Sequence, residues 1–195
     1  MLVIELQNDL CAPPLADQRG LRGALARAVR DRGVLQRLAP VLEACRARGV
    51  PVIYLTKERH PAIPQRQFPP IYRMAGGEPT LVHGTWGAQV VDEIKPGEGD
   101  LVLPRFTSID PSYGTELWAV IETLGLSSLL LAGISTTLAV EGTARAAANR
   151  GYHTIIVEDC CASVPDEWHQ FSVRNVLPLI SEVCSSADVV AALQR

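Results

Sequence analysis

The chain of 195 residues carries 18 Lys and Arg against 21 Asp and Glu, a formal net charge of −3, with 47% hydrophobic and 20% charged residues. That balance argues against a nucleic-acid binder, and no apolar run approaches the length of a bilayer span, so neither nucleic acid nor membrane is expected as a partner. The length suits one full core, and no linker, internal repeat or low-complexity tract divides it, so residues 1–195 read as one domain.

Met1 leads directly into the strand-like LVIE instead of a basic leader, and five cysteines without framework spacing (Cys11, Cys45, Cys160, Cys161 and Cys184) read as reduced, mostly buried thiols. Both features point to a cytoplasmic protein. Leu2–Glu5 is the first strand candidate, with Gln7, Asn8 and Asp9 just beyond its end. Pro13, Pro14 and Gly20 mark the run from Cys11 to Gly20 as loop. Val34, Leu35, Leu38, Val41, Leu42 and Cys45 recur at the spacing of an amphipathic helix, and Gly49 ends it. Pro51–Leu55 follows as the second strand. Between Thr56 and Gly84 the pattern dissolves into Pro, Gly, Gln and Arg, a loop long enough to be functional.

Ala88–Ile94 suggests a short helix, Leu101–Leu103 a third strand, and Gly114–Leu124 a helix with Leu117, Val120, Ile121 and Leu124 on one face. Leu129–Ala132 is a buried strand that Gly133 ends. Ser135, Thr136 and Thr137 are candidate caps for a helix with the small face Ala139, Val140, Thr143, Ala144 and Ala147. His153–Val157 is a fifth strand, Asp166–Val176 a helix, Ile180–Cys184 a last strand and Ala187–Leu193 a terminal helix. This alternation predicts an α/β domain with a parallel sheet of about six strands.

In such sheets ligands bind beyond the carboxyl ends of the strands, near the switch in strand order. Those ends carry Glu5 with Gln7 and Asp9, Thr56–Lys57, Arg105, Ser135–Ala139, and Asp159–Cys160. A strand, a tight turn and a helix start around Ser135 gather backbone N–H groups that favour an anion. Each residue also has a plain structural reading: Glu5 pairing with Arg105, Asp9 in a turn, His83 anchoring its loop. His60, His153 and His169 show no metal-ligand spacing, so no metal is expected. Cys160 and Cys161 have no neighbouring His or Lys to lower a thiol pKa.

Several stretches then resemble one family. LVIELQNDL, HGTWGAQVVDEIKPGEGDLVLPRF, SYGTEL, LLLAGISTTLAVEGTARAAANRGY and IIVEDCCAS are similar, in order, to the isochorismatase-like (cysteine hydrolase) superfamily, which includes nicotinamidases and N-carbamoylsarcosine amidases. The resemblance implies a three-layer α/β/α sandwich and a homodimer or higher homo-oligomer. It also implies a non-proline cis peptide in the turn Gly133–Ile134–Ser135, with an oxyanion hole from the N–H groups of Ser135 and Ala139. The hydrolases of that family use an Asp–Lys–Cys triad, and its three positions fall here on Glu5, Arg105 and Ala139. The metal cluster of nicotinamidases is not recognisable around Thr56–His60, and no cofactor is implied.

A methyl at Ala139 excludes a thioester there. What remains open is a Cys-independent hydrolase with Glu5 as acid or base and Arg105 holding a carboxylate, a catalytically silent small-molecule binder, or a structural assembly partner. The first is preferred, on a small carbonyl- or carboxylate-bearing metabolite. Ser135, Ile134, Gln7, Trp86 and Tyr113 are the candidate ligand contacts beside Glu5, Arg105 and Ala139.

Overall fold

A computed structural model describes residues 1–64, 69–74 and 79–195, with the backbone alone for Arg73 and Met74. Parts of the long loop expected over 56–84, residues 65–68 and 75–78, lie outside the described residues. Six strands, β1 (Leu2–Ile4), β2 (Ile53–Lys57), β3 (Leu101–Arg105), β4 (Ser128–Ile134), β5 (His153–Ala162) and β6 (Glu182–Cys184), form one wholly parallel sheet in the order β3-β2-β1-β4-β5-β6. Helices α1 (Asn8–Cys11), α2 (Gly20–Asp31), α3 (Val34–Ala47), α4 (Ile71–Met74), α5 (Leu117–Thr123), α6 (Glu141–Ala148), α7 (Asp166–Phe171) and α8 (Ser186–Leu193) accompany it. The architecture is the expected α/β/α sandwich. Among the described residues, no helix is long and apolar enough to cross a membrane.

The stripe read on α3 is the face that is buried: Val34, Leu35, Leu38, Val41, Leu42 and Cys45 all enter the core, and the helix packs on α8 and β5. Burying side chains of this size stabilises by roughly 1.5–3 kcal/mol each, which is why the stripe determines how the helix docks. Tyr54 is a large, polar-tipped core residue. Its hydroxyl donates to the Ile94 carbonyl at 2.7 Å and accepts from Arg46 Nη2 at 3.0 Å, so burial leaves it satisfied.

Several boundaries differ from expectation, each for a local reason. Residues 88–94 are not a helix: Val90 bridges Gln7 and the Val91 N–H donates to the Leu6 carbonyl, so this segment lies extended between two short 3-10 turns. The run Cys11–Gly20 is partly a 3-10 turn at Pro13–Asp17, and α2, absent from the reading, follows it. Predicted Gly114–Leu124 shortens to α5 at Leu117–Thr123. Strand β5 does not end at Val157. Leu131 pairs with Ile156 and Gly133 with Cys161, so β5 bulges between those positions and then rejoins the sheet with Cys160 and Cys161 inside it. The bulge frees Glu158 to pair with Arg32, and lets Asp159 accept from Ser186 N and Oγ at the start of α8. The predicted helix Asp166–Val176 splits into α7 and a π turn at Ser172–Val176.

Strand order reverses between β1 and β4. Gly133 makes their contact possible: its φ is 131°, and a Cβ there would lie on the backbone of Ile4.

Candidate active site

Around this switch point the first three strands each deliver a charged residue and β4 delivers a backbone turn. Glu5 leaves β1 at φ 54°, a left-handed conformation uncommon for a residue with a side chain. Its N–H still donates to the Leu55 carbonyl at 2.9 Å, tying it to β2. Its carboxylate reaches over the end of β2 to pair with Arg105 Nη2.

Arg105 closes β3 and is buried, with 3% of its side chain exposed against 11% for Glu5. Nε donates to the Ser108 carbonyl at 3.0 Å and Nη2 also donates to the Ile109 carbonyl at 3.1 Å, so the guanidinium gathers the loop after β3 around itself. Nη1 is buried and has no hydrogen-bond partner among the described residues. A buried guanidinium nitrogen left without an acceptor is costly.

Lys57 lies beside the pair, in register with Arg105 at the end of β2. Gln7, one of the candidate ligand contacts, fixes it there. Gln7 is fully buried; its Oε1 accepts from Lys57 N at 2.9 Å, while Nε2 donates to the carbonyls of Lys57 at 2.9 Å and Ala88 at 2.6 Å. Burial lowers the Lys57 ammonium below the usual lysine range; Glu5 opposes the shift, and Arg105 and Arg59 add to it.

The fourth strand contributes the turn. The Ile134–Ser135 peptide is cis, as the resemblance implied, and Thr136–Val140 form a π turn ahead of α6. The Ser135 carbonyl accepts from the N–H groups of Leu138 at 3.3 Å, Ala139 at 3.0 Å and Val140 at 3.2 Å. Ala139 is 3% exposed, and its N–H, expected in the oxyanion hole, is directed into this cluster. Ile134 is buried and Ser135 half-buried; Ser135 caps the turn with backbone geometry alone, without a side-chain bond. Thr136 Oγ1 lies 2.8 Å from His169 Nδ1, and Thr137 Oγ1 lies 2.9 Å from Ser163 Oγ, which fasten the turn to α7 and to the end of β5. His169 is wholly buried, and burial, aided by Arg32, pushes its pKa down to about 4. Nothing in its sequence spacing marked this support role.

Trp86 and Tyr113 present exposed rings and join the site through backbone. The Trp86 carbonyl accepts from Asn8 Nδ2 at 2.8 Å, and the Tyr113 carbonyl from Ser108 Oγ at 2.9 Å, in the loop that Arg105 gathers. His83 pairs with Glu58 and packs with His60 and Phe106 at ring-centroid distances of 5.7 Å, consistent with a loop anchor. All five cysteines are unpaired, and burial raises every thiol, Cys161 to about 12 and Cys184 to about 11. None is a ready nucleophile. Among the described residues no group of three His, Cys, Asp or Glu could hold a metal ion.

A cavity of about 460 Å³ opens next to the ion pair, over the ends of β2 and β3. Lys57, Arg59, His60, Tyr72 and Phe106 contribute to its walls; Glu5, Arg105 and Ala139 do not. The cavity is thus displaced from the turn after β4 towards the long loop.

Comparison with known proteins agrees with this architecture. A family model, the isochorismatase domain, matches residues 1–188. The chain is 27% identical to ureidoacrylate amidohydrolase from Methylobacterium radiotolerans, covering 99% of this chain and 78% of that protein. Among solved structures, N-carbamoylsarcosine amidase from Thermoplasma acidophilum superimposes with a TM-score of 0.72 at 27% identity, over 95% of this chain and 94% of its own. A cysteine hydrolase from Pseudomonas syringae shares the fold, with a TM-score of 0.81 at 20% identity, over 99% of this chain and 91% of its own.

Proposed function

This chain belongs to the isochorismatase family, and we propose that it is a hydrolase of a small carbonyl- or carboxylate-bearing metabolite that works without a cysteine nucleophile. The observation that carries the reading is the buried Glu5–Arg105 pair with one guanidinium nitrogen, Nη1, left open. The amidohydrolase and amidase relatives supply the reaction class by analogy. Ala139 stands where the family's nucleophile is expected and offers no nucleophilic atom, so water attacks the substrate carbon directly. Glu5 takes the proton from that water and returns it to the departing nitrogen or oxygen as its bond to the carbon breaks. Arg105 Nη1 donates to the oxygen on which negative charge develops. Ala139 N–H, engaged with Ser135, gives a smaller share to the oxyanion than the resemblance implied.

One observation favours a second reading, a silent binder: the cavity beside the pair is not walled by Glu5 or Ala139. A screen separates the two. Amides, esters and vinyl ethers carrying a carboxylate are offered to the protein and to Glu5→Gln. Turnover by the parent that falls by about 10²-fold or more in the variant supports the hydrolase. Binding without turnover supports the binder. The homo-oligomer that the resemblance implies would find apolar surface at Trp168, Phe171 and Leu179, each more than half exposed.

A further inference from the structure

The chain uses arginine for 16 of its 18 basic residues and lysine only at positions 57 and 95. Lys95 sits on an exposed turn. Lys57 does not resemble it: it walls the 460 Å³ cavity, and its Nζ lies 4.8 Å from the centroid of the Tyr72 ring. Lys57 forms no ion pair among the described residues; Glu5, whose charge acts on it, is paired with Arg105. Glu58, Arg59, His60 and Phe106 share the cavity, and the Glu58 carboxylate is engaged by His83, so the amine and the Arg59 guanidinium face one space.

We propose that Lys57 is a carbonyl-capturing amine, forming a reversible imine with a small 2-oxo acid whose carboxylate is held by Arg59. An amine reacts this way only in its neutral form, and the two conditions that favour that form are desolvation and neighbouring cations. Both are present: the side chain is half-buried in the cavity wall, and burial, with Arg105 and Arg59, outweighs the opposing Glu5. Arginine at this position could supply the charge but not the reaction. The step balances without a further reactant. The Nζ lone pair attacks the keto carbon to give a carbinolamine, the C–O bond breaks, and one water leaves with the two protons that Nζ loses. The imine is hydrolysed by the reverse path. The proton that the ammonium gives up goes to solvent water.

This inference stands apart from the hydrolase reading, since it needs neither Ala139 nor a scissile bond. The test is reductive trapping. The intact protein is incubated with pyruvate and cyanoborohydride, and adducts are located by peptide mass spectrometry, with Lys95 as internal control. The proposal expects Lys57 to be labelled at least about tenfold faster than Lys95, because capture in the cavity precedes reaction, and the rate to saturate with pyruvate. Lys57→Arg keeps the charge and loses that adduct. Arg59→Met slows trapping of pyruvate but not of propionaldehyde, an uncharged carbonyl of similar size. Equal labelling of the two lysines, or a rate linear in pyruvate throughout, overturns the proposal. Trapping measured in Glu5→Gln and turnover measured in Lys57→Arg keep its failure distinct from failure of the hydrolase reading.

Discussion

Replacing Glu5 by Gln removes the carboxylate of the buried pair. Arg105 then remains buried at 3% side-chain exposure with a neutral acceptor, and Lys57 loses the carboxylate that opposes its desolvation. Breaking a buried pair by removing one partner costs about 3–5 kcal/mol, because the other charge stays behind uncompensated. Gln keeps a carbonyl acceptor of similar length, so Glu5→Gln falls near the lower figure. Arg105→Met also loses the bonds to Ser108 and Ile109 and falls near the upper one. In a chain of this length such losses lower Tm by roughly 6–20 °C. The double variant Glu5→Leu/Arg105→Met takes both charges away and costs clearly less than the two single changes together. The assay is urea unfolding followed by far-UV circular dichroism, comparing midpoints at constant slope. Single variants that unfold at the parent's midpoint, or a double variant that costs the full sum, would refute the argument that the pair is a coupled, desolvated unit.

Two other perturbations follow from the same geometry. His169 takes its proton near pH 6.5 when unfolded and near 4 when folded, so the unfolded chain binds more protons throughout that window and stability falls as pH drops across it. The loss reaches about 3 kcal/mol by pH 4 and stops growing below it. His169→Gln keeps an acceptor for Thr136 and removes this contribution. Urea titrations at pH 7 and pH 4 should therefore show a smaller drop for the variant, and an equal drop contradicts the assignment. Gly133→Ala forces a Cβ onto the Ile4 backbone at φ 131° and should cost about 3 kcal/mol or more. Gly151→Ala, at φ 79° with open space around it, should cost about 1 kcal/mol. Equal costs would show that β1 and β4 tolerate separation at the switch point.

The sheet and its ends were legible because they rest on apolar runs and on the helical stripe of α3, signals that are local and strong. What local pattern could not convey depended on pairing between distant segments. Residues 88–94 have helical spacing, yet Val90 and Val91 bond to Gln7 and Leu6 and stay extended. The polar step Glu158–Asp159 looked like a strand end; a bulge lifts it out and the strand resumes. Helix α2 is built on Gly, Ala and Arg with only Gly23, Ala26 and Val29 buried, too small a face to register as a stripe. Glu5 and Arg105 were visible as residues at strand ends, and their pairing was the plainer of two readings. The place of Lys57 was not, because it rests on contacts with Gln7 and Tyr72, both distant in the chain. Its one trace was compositional: one of two lysines in a chain whose other 16 basic residues are arginine.

The central claim is hydrolysis by water directed from Glu5 with no covalent intermediate. A single-turnover reaction in H₂¹⁸O, with enzyme in excess over the substrate found in the screen, tests it most directly. Product and intact protein are both weighed during the reaction. Direct attack predicts one ¹⁸O in the acid product, no acylated protein at any time, and loss of the reaction in Glu5→Gln. An acyl group on Cys161 or any other side chain of the protein, or undiminished turnover in Glu5→Gln, would contradict it.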